Sequence, residues 1–573
     1  MKCRQHVGAA FIRRQFGDDQ LYTTVVQAYI DVLLQRGLNL ECFIEGSRSR
    51  TGKLLPPKYG FLSFLLESVM SGRVDDAMIC PVSTQYDKVV EVDSYVREML
   101  GRPKAKEDLK GFLSASSVLN LKLGRIDVRF HQPWSLRAWI QDQEMRLSDL
   151  SVSERARLQQ TYDKNLRTRL LRMLGYRVLS DINATSVVMP TALIGTVLLT
   201  HRAGGLGKSE LIRRIEWLSE RVRSHGGRVA HFAGLATADI VSRGIEVLGP
   251  KLVSVRKDDV AEETYEVVDA FQMSFYRNMT IHLFVPQAIV CAAMYSWFGN
   301  SSTAPQRAMP YEELKSRILF LSQLFRAEFI FPMAGLLENI DTTLTGLETD
   351  GIVSINRNPP KTAPDTISSV SPNSIDHANI EFFCHLIWPF IETYWLGALS
   401  LLLLTPPASS TYTVPTTTIT SPSSTTPTIP IPTFLTHAQL LGRTLHAQGL
   451  LAYLEAINKE TLSNTLARLE EDGIVVLARK GKAKGAASVR LDEAWIPGRH
   501  GATGEIVREG KLWDMVARLG RFRRDKNMLS NEVWRAVNVV AERLWHAPGP
   551  GPRLEEQKQG RHGGGEGAIK AHL

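Results

Sequence analysis

Two arginines, a carboxylate, a glycine and two serines fall within one short stretch, residues 43–50, which reads Phe-Ile-Glu-Gly-Ser-Arg-Ser-Arg. The guanidinium groups of Arg48 and Arg50 repel each other unless an anion lies between them, and both can bind a single phosphate. Gly46 lets the backbone approach such a ligand because it carries no side chain. We therefore interpret residues 43–50 as a phosphate-binding turn, with a solvated basic turn as the alternative.

Two further stretches in the first hundred residues carry groups of the same kind. An apolar run at residues 8–14 ends in the paired arginines Arg13 and Arg14, and a second apolar run at residues 77–82 leads into a polar stretch. All three stretches are predicted to lie at the ends of strands or just beyond them. The polar stretch contains Pro81, Tyr86, Asp87 and Glu91.

The elements that would position these stretches alternate between strands and helices. Apolar residues recur at helical spacing over residues 21–33, after Asp18 and Asp19, and this pattern ends at Gly37. A strand is predicted over residues 38–44, which would place the arginine pair and the turn at the same end of one sheet. The pattern continues with helices at 62–70, 95–100 and 109–119 and strands at 77–82 and 126–130, and it predicts an α/β layered domain that ends near residue 150.

The remainder of the chain has a mostly helical pattern. One helix is predicted over residues 264–298. The stretch 382–404 approaches the length of a membrane span, but it carries His385, Pro389 and Glu392, so we favour a buried or interfacial helix. The predicted units are 1–150, a helical domain 151–404, a Pro/Thr/Ser-rich linker 405–433, a winged-helix-like α+β subdomain 434–545 with a hairpin at 474–477 and 488–491, and a flexible tail 546–573.

Two motifs suggest nucleotide or nucleic-acid binding, and the chemistry of their residues argues against both. Residues 201–209 contain Gly-Lys-Ser, but the position five residues before Gly207, which is glycine in a P-loop, is Arg202. The subdomain after the linker has a basic turn at 479–484, as a winged helix would. Its candidate recognition helix, 460–472, is mainly acidic and would repel phosphates, so no nucleic-acid partner is expected.

Composition limits the classes of protein and of partner. The chain has 573 residues, is 44% hydrophobic and carries a net charge of +9, which suits a sizeable core and an anionic substrate, a membrane surface or nucleic acid. Its five cysteines are widely separated. They indicate neither a disulfide framework nor a zinc site, and they favour a reducing compartment. The first residues are not expected to form a secretory signal.

In order and spacing, the three stretches resemble the second, third and fourth sequence blocks of the glycerophosphate acyltransferase family. The resemblance is to the branch that holds the glycerol-3-phosphate and dihydroxyacetone-phosphate acyltransferases. The matching blocks are Gly-Ala-x-Phe-[Ile/Met]-Arg-Arg at 8–14, Phe-x-Glu-Gly-x-Arg-Ser-Arg at 43–50, and a proline followed by Tyr-Asp-Lys-x-x-Glu at Pro81 and 86–91. Residues 95–106, 276–278, 325–331 and 389–394 resemble later segments of the dihydroxyacetone-phosphate branch, so the resemblance covers most of residues 7–404.

The resemblance implies acyl transfer from acyl-CoA to the hydroxyl of a three-carbon phosphate, with acyl-CoA as co-substrate and no other cofactor or metal. In this family, arginines hold the phosphate while a histidine, oriented by an aspartate, deprotonates the hydroxyl. Carried over to this chain, the phosphate ligands are Arg13, Arg14, Arg48 and Arg50, and the acceptor pocket is formed by Glu45, Gly46, Ser47, Ser49, Pro81, Tyr86, Asp87 and Glu91.

The chain departs from the family at the block that supplies the base. The family's His-x-x-x-x-Asp block precedes the second block, whereas none of the 14 histidines here is followed five positions later by aspartate. His6 is nearest to the second block, and Phe11 stands at that spacing. We therefore expect no catalytic residue in the chain and a layered acyltransferase domain that is incomplete at its N-terminus. A remnant that binds without catalysing is the alternative.

The C-terminal residues Ala571, His572 and Leu573 fit the small-basic-leucine pattern of a peroxisomal address. Together with the resemblance to the peroxisomal branch, they favour dihydroxyacetone phosphate as acceptor, with glycerol 3-phosphate as the runner-up. We expect association with the peroxisomal membrane, with a mitochondrial or endoplasmic-reticulum membrane as the alternative. The same branch implies an alkyl-dihydroxyacetone-phosphate synthase as partner. A non-catalytic scaffold that holds a phosphate ligand or a membrane surface is the alternative of another class.

Overall fold

A computed structural model describes most of the chain, and every structural statement below refers to the part it describes. That part comprises residues 12–13, 19–102, 122–148, 162–201, 204–232, 234–257, 261–298, 308–331, 335–358, 366–372, 377–406, 428–478, 487–500, 504–525 and 530–546. Arg14, the helix predicted at 109–119, the basic turn at 479–484 and the residues from 547 onwards lie outside it.

The first half of the chain alternates short strands with helices. The first helix is capped as predicted, because the Asp19 side chain accepts the N–H of Tyr22 at 3.0 Å and Gly37 follows its end with φ +68°. The helices are α1 (Gln20–Gln35), α2 (Tyr59–Met70), α3 (Val92–Met99), α4 (Leu136–Ser148), α5 (Tyr162–Thr185), α6 (Pro190–Thr200), α7 (Lys208–Ser224) and α8 (Thr237–Leu248). The strands are β1 (Met78–Ile79), β2 (Val82–Tyr86), β3 (Ile126–Phe130), β4 (Trp134–Ser135), β5 (Val187–Val188), β6 (Leu206–Gly207), β7 (Arg228–Val229) and β8 (Val253–Arg256).

The second half is dominated by helices. The predicted C-terminal hairpin is confirmed, since its two strands, β14 and β15 below, pair antiparallel. The helices are α9 (Ala270–Ile281), α10 (Val285–Phe298), α11 (Tyr311–Leu324), α12 (Leu336–Thr349), α13 (His377–Ser400), α14 (Ile431–Ala447), α15 (Lys459–Glu471), α16 (Lys511–Gly520) and α17 (Asn531–His546). The strands are β9 (Thr264–Val267), β10 (Met309–Pro310), β11 (Val353–Asn358), β12 (Thr366–Pro372), β13 (Ile429–Pro430), β14 (Val475–Ala478) and β15 (Ser488–Leu491), with 3₁₀ turns at Leu401–Leu404, Leu454–Ile457 and Glu493–Trp495.

The described strands form small separate sheets rather than one layered sheet. β2 pairs antiparallel with β3, β1 pairs antiparallel with β4, and the parallel pair in the described chain is β5 with β7. The strand predicted over residues 38–44 is wrong, because these residues form no strand in the described structure. Their apolar side chains, Leu40 and Ile44, pack into the hydrophobic cluster of α1 and α2 instead. The protein is a mixed helix-and-sheet structure, and a layered arrangement of the first 150 residues stays a prediction.

Two predicted segments are divided differently in the structure. Residues 264–298 were expected to form one helix, but they form β9, α9 and α10, and the two helices meet at 110°. Asp269 caps α9 by accepting the N–H of Gln272 at 2.9 Å, and Pro286 lies in the first turn of α10, where its missing N–H costs nothing. The predicted linker 405–433 is also too long, because β13 and the start of α14 lie within it.

Buried apolar side chains form two clusters. The smaller cluster joins α1, α2, α4 and α5. The larger cluster contains α3 and the helices from α6 to α17. Helix α3 therefore packs with the second half of the chain, although its neighbours in sequence on both sides belong to the smaller cluster. The clusters do not follow the predicted boundaries at residues 150 and 434, and the division into domains stays a prediction.

The long apolar helix α13 runs through the larger cluster. With the following 3₁₀ turn it is long and apolar enough to cross a membrane, but its most apolar window is entirely buried within the protein. Its Glu392 is fully buried and accepts the N–H groups of Ala452 and Tyr453 at 3.0 Å each. The guanidinium of Arg523 donates to the other carboxylate oxygen at 2.8 Å. This buried ion pair joins α13 to the end of α16.

We expect Arg523→Met to lower the free energy of unfolding by about 3–5 kcal/mol, because it leaves the Glu392 carboxylate buried without its cation. The double variant Arg523→Met/Glu392→Gln is expected to lose less, since it buries no charge. Urea unfolding followed by tryptophan fluorescence measures both. The control is Arg146→Met, whose side chain is 72% exposed, and its expected loss is below about 0.5 kcal/mol. Equal losses in Arg523→Met and Arg146→Met would contradict the prediction.

Candidate functional site

The predicted phosphate turn changes direction at Gly46, which has φ +66°. The Gly46 N–H donates to the carbonyl oxygen of Phe43 at 2.9 Å, and the N–H of Lys58 donates to the carbonyl oxygen of Ile44 at 2.7 Å. A Cβ at Gly46 would lie 2.9 Å from the Cγ of Lys58. The close approach that requires glycine here is therefore made by the chain's own segment at Lys58.

Three polar residues around this glycine differ in what they contact. The Glu45 carboxylate accepts the N–H of Leu55 at 2.9 Å, and burial raises the pKa of its carboxyl group. The Ser49 hydroxyl lies 3.4 Å from the hydroxyl of Thr51. Ser47 is exposed. Glu45 and Ser49 thus shape the turn, and Ser47 is the hydroxyl that a ligand can reach.

Each arginine of the turn pairs with a carboxylate at helix α3, one just before the helix and one within it. Arg48 donates to Glu91, the residue that precedes α3. Arg50 donates through Nε to Glu98 at 2.8 Å, and this hydrogen bond raises the pKa of Arg50. Glu91, Tyr95 and Glu98 are spaced four and three residues apart, so they share one face of the helix. Both guanidinium groups are thereby oriented while their outer sides stay open, with the Arg48 side chain 73% exposed and the Arg50 side chain 42% exposed.

The structure holds Arg13 at the start of α1. Its guanidinium donates to Asp19 at 2.8 Å and lies over the ring of Tyr22, 4.3 Å from the ring centre. Arg13 is thus held at the start of α1, whereas Arg48 and Arg50 are both held by carboxylates at α3. The fourth predicted phosphate ligand, Arg14, lies outside the described residues.

The residues of the third predicted stretch are divided between the two ends of β2. The carbonyl oxygen of Pro81 accepts the N–H of His131 at 2.8 Å at the far end of the strand. Tyr86, at the other end, is 42% exposed. Asp87 is buried and accepts the N–H of Arg125 at 2.9 Å, and burial raises the pKa of its carboxyl group. Tyr86 and Asp87 lie on the side of Glu91, while Pro81 supports the strand from the opposite end.

The backbone just after the arginines is packed against α9. A Cβ at Gly52, which has φ +83°, would lie 2.2 Å from the carbonyl oxygen of Phe275. The amide of Asn278 donates to the carbonyl oxygen of Thr51 at 2.8 Å, and its own oxygen accepts a 2.8 Å hydrogen bond from Arg277. Arg277 in turn forms a two-pronged ion pair with Glu455, at 3.0 and 2.7 Å. The turn is thus connected to the 3₁₀ turn at Leu454–Ile457.

A second buried ion pair fixes the chain two residues beyond Thr51. The Lys53 ammonium lies 2.6 Å from a carboxylate oxygen of Glu328, and the two side chains are 4% and 0% exposed. The other oxygen of Glu328 accepts hydrogen bonds from Asn464 at 2.9 Å and from the hydroxyl of Tyr394 at 3.3 Å. These contacts pin residues 50–53 to the helical half of the protein.

A cleft opens beside Arg50 between the turn and the helical half. Its walls combine aromatic and aliphatic side chains with hydroxyl and amide groups. The lining residues are Arg50, Thr51, Met99, Phe271, Ser274, Phe275, Asn278, Pro389, Phe390, Thr393, Glu455, Asn458 and Thr461. With a volume of about 20 Å³, the cleft has room for about one water molecule, so an anion held by Arg50 would lie at its mouth.

The sequence analysis missed the residues that hold the turn in place. Glu98, Lys53, Glu328 and Glu455 were not predicted as site residues, although Asn278 and Glu328 fall in segments that resembled the family. No group of three or more His, Cys, Asp or Glu side chains in the described structure could hold a metal ion. In the described structure, the side chains of Arg48 and Arg50 donate hydrogen bonds to carboxylates.

Two family models match this chain. A model of the glycerol-3-phosphate acyltransferase C-terminal region matches residues 95–478, and an acyltransferase model matches residues 2–85. The chain belongs to the glycerol-3-phosphate acyltransferase family. The acyltransferase match contains Arg48 and Arg50, and the C-terminal match contains Arg277 and Glu455. The hydrogen bond from Asn278 to Thr51 therefore joins the two matched regions.

Individual relatives of the glycerol-3-phosphate acyltransferase family carry two names. The chain is 29% identical over 400 residues to dihydroxyacetone phosphate acyltransferase of Homo sapiens, covering 68% of this chain and 55% of that protein. The rabbit (Oryctolagus cuniculus) protein of the same name is 29% identical over 408 residues, covering 69% and 57%. Glycerol-3-phosphate acyltransferase of Shewanella amazonensis is 30% identical over 352 residues, covering 60% and 41%. The chain spans about half the length of these relatives.

We expect Gly52→Ala to weaken the binding of a phosphate ligand to the turn and to lower the melting temperature, because its Cβ would collide with the backbone of Phe275. The matched control is Gly72→Ala, which has a similar φ of +72° but nothing within 4 Å of the added Cβ. The control carries only the strain of the left-handed backbone, about 1–2 kcal/mol. Thermal melting and calorimetric titration with inorganic phosphate measure the two effects. Equal behaviour of the two variants would show that the contact with Phe275 does not hold the turn.

Proposed function

We propose that residues 43–50 bind the phosphate of a three-carbon acceptor in acyl-CoA-dependent O-acylation, with dihydroxyacetone phosphate as the preferred acceptor. The observation that supports this function best is the pair Arg48 and Arg50, which are oriented by Glu91 and Glu98 and are both still open to the cleft or to solvent. A guanidinium has five N–H donors, so one bond to a carboxylate leaves donors for phosphate oxygens. Ser47 is a further donor at the same turn.

In the proposed reaction, the free hydroxyl of the acceptor attacks the thioester carbonyl of acyl-CoA. A carbon–oxygen bond forms, the carbon–sulfur bond breaks, and the hydroxyl proton passes to a general base, which returns it to the leaving CoA thiolate. The family's base is a histidine oriented by aspartate, and the 573 residues contain no His-x-x-x-x-Asp sequence. The role that we propose for the described residues is therefore to bind and orient the acceptor, with acyl-CoA as co-substrate and no metal.

Two glutamates, Glu91 just before α3 and Glu98 within it, determine how strongly a phosphate binds to the arginines. Glu91 and Glu98 neutralise Arg48 and Arg50 when no ligand is present, which keeps two guanidinium groups stable at close range. An incoming phosphate must share each guanidinium with a carboxylate. A dianionic phosphate does so better than a singly charged anion, because its attraction to the arginines is about twice as large.

We expect Arg48→Ala and Arg50→Ala each to weaken acceptor binding about 10- to 100-fold, because each removes a charge-assisted hydrogen bond and leaves Glu91 or Glu98 to repel the phosphate. Calorimetric titration of the purified chain with dihydroxyacetone phosphate and with glycerol 3-phosphate measures the effect. The matched control is Arg97→Ala on α3, whose side chain is 62% exposed and pairs with Asp93. Unchanged affinity in both turn variants would contradict the proposal.

The same protein, incubated with palmitoyl-CoA and either labelled acceptor, is expected to form no acylated product, because no base of the family's type is present. Product formation would contradict this part of the proposal. Tighter binding of glycerol 3-phosphate than of dihydroxyacetone phosphate would favour the runner-up acceptor, for which the bacterial relatives are named. Binding of inorganic phosphate but of neither acceptor would favour the scaffold.

We further propose that the protein acts at the peroxisomal membrane beside an alkyl-dihydroxyacetone-phosphate synthase. This proposal is supported by the C-terminal Ala571-His572-Leu573 sequence and by the resemblance to the dihydroxyacetone-phosphate branch. The tripeptide lies outside the described residues. The mitochondrial or endoplasmic-reticulum membrane is the alternative location.

Removal of Ala571, His572 and Leu573 from an N-terminally tagged protein is expected to change a punctate peroxisomal distribution into a cytosolic one, because a receptor reads this address at the chain end. Fluorescence microscopy with a peroxisomal marker measures the change. The control replaces three residues of the preceding glycine-rich segment, 563–565, with alanine. Puncta that persist without the tripeptide would refute the address.

A further inference from the structure

Five basic residues lie near one end of the antiparallel strand pair β2–β3, where the adjoining segments contact the second half of α8. We call them the basic cluster: Lys88, Lys122, Arg125, Arg243 and Lys251. Lys88 follows β2, while Lys122 and Arg125 precede β3. Arg243 belongs to α8, and Lys251 belongs to the loop after it. All except Lys88 are exposed. None of them is a predicted phosphate ligand of the turn at residues 43–50, which we call the acceptor turn.

Two contacts join the segments beside β2 and β3 to α8. The Lys88 ammonium donates to the carbonyl oxygen of Val247 at 2.6 Å. Lys122 forms an ion pair with Glu246 one residue earlier on α8. Burial lowers the pKa of Lys88, and the nearby charge of Lys251 lowers it further. The lysines beside β2 and β3 therefore share a surface with the basic residues of α8 and its following loop.

Asp87 and an aromatic ring order the arginine side of the cluster. Asp87 accepts the backbone N–H of Arg125, and the charges of Arg125 and Arg243 both act on its carboxylate. The Arg125 guanidinium lies over the ring of Phe232, 4.3 Å from the ring centre. The cluster thus has five cations and, among the contacts described here, two carboxylates, those of Asp87 and Glu246. A carbonyl oxygen holds Lys88 in place, and an aromatic ring holds Arg125. The surplus of positive charge suits a ligand with several phosphate groups.

The basic cluster adjoins the acceptor turn. Lys88 precedes Glu91 by three residues, and Glu91 holds Arg48. Three residues span at most about 10 Å, so a ligand bound at the cluster lies within reach of the turn. An acyl-CoA carries its phosphates at one end of the molecule and its thioester at the other end of a flexible arm. Anchoring the phosphates here would allow the thioester to extend towards the acceptor.

We propose that the basic cluster binds the 3′-phosphate and 5′-diphosphate of CoA, and that the outer face of the Arg125 guanidinium stacks on the adenine. This proposal rests on the proposed function, which supplies acyl-CoA as the donor. Guanidinium planes stack on nucleobases and bind phosphates through several N–H donors. An anionic lipid surface requires only flexible lysines, whereas Lys88 and Arg125 are ordered by protein contacts, and this favours a ligand of defined shape.

The first test compares ligands on the unaltered 573-residue protein by calorimetric titration. CoA is expected to bind about tenfold more tightly than dephospho-CoA, which lacks the 3′-phosphate, because one doubly charged group is lost from a cationic surface. Pantetheine, which has no phosphate, is expected to show no binding. Equal affinities for CoA and dephospho-CoA, or no binding of CoA, would overturn the proposal.

The second test changes the protein. The double variant Arg243→Gln/Lys251→Gln is expected to bind CoA about tenfold more weakly and with a smaller dependence on salt concentration. Its control, Arg146→Gln/Arg223→Gln, removes two other exposed positive charges, with side chains 72% and 59% exposed, and is expected to keep the original affinity. Equal losses in both double variants would show a nonspecific effect of net charge and overturn the proposal.

Two further measurements separate this site from the acceptor turn and from a lipid surface. Arg48→Ala is expected to lose acceptor binding and keep CoA binding. If acceptor binding fails in the unaltered protein while CoA binds as described, the proposed function fails and the CoA site stands; the reverse result overturns the CoA site alone. Vesicles that contain phosphatidylserine are expected to bind the Arg243→Gln/Lys251→Gln variant and the unaltered protein equally. A specific loss of vesicle binding without CoA binding would identify the cluster as a membrane contact.

Discussion

Arg277 lies almost wholly inside the protein, and a guanidinium in that position is stable only with a complete set of partners. Glu455 supplies both carboxylate oxygens, and Asn278 supplies its amide oxygen. The same Asn278 then holds the carbonyl oxygen of Thr51. Because a buried charge that loses its partner costs several kcal/mol, this set of contacts tolerates few other arrangements. The position of the acceptor turn therefore depends on a charge pair whose members are 178 positions apart in sequence.

The two other buried ion pairs extend the same constraint. Lys53 with Glu328 fixes the chain just beyond the turn, and Arg523 with Glu392 fixes the backbone at Ala452 and Tyr453, close to Glu455. Arg523 lies beyond residue 478, where the match to the family's C-terminal region ends. The last described helices are consequently part of the structure that supports the turn. Apolar packing surrounds all three pairs, so their electrostatic attraction is weakly screened by solvent.

The sequence predicts those parts of the structure that depend on local residues. Helix α1 with its Asp19 cap and Gly37 end, helix α2 and strand β3 follow from periodicity and from residues at the element ends. The strand expected at 38–44 failed because a strand needs a partner alongside it, which no local pattern reports. The bend between α9 and α10 was missed because apolar residues continue through it.

The candidate site was predictable to a smaller extent. The arginine pair stands out because two guanidinium groups so close together require an anion, and Glu91 was found through the family's fourth block. Glu98 and Glu455 could not be found in this way. Their roles depend on which face of α3 meets the turn and on how a distant 3₁₀ turn packs, and both are properties of the tertiary structure.

Glu91 and Glu98 also determine which anions would bind only weakly to the two arginines. A bare pair of arginines at a surface attracts nucleic acids, acidic proteins and any small anion of the cytosol. With Glu91 and Glu98 already in place, a chloride or a single carboxylate gains little by approaching, because it offers no more charge than the group it must compete with. Under the proposed function, the resident carboxylates act as a charge threshold that a phosphate dianion exceeds. Since phosphate monoesters lose their second charge below about pH 6, the same threshold weakens phosphate binding at the turn in acidic surroundings.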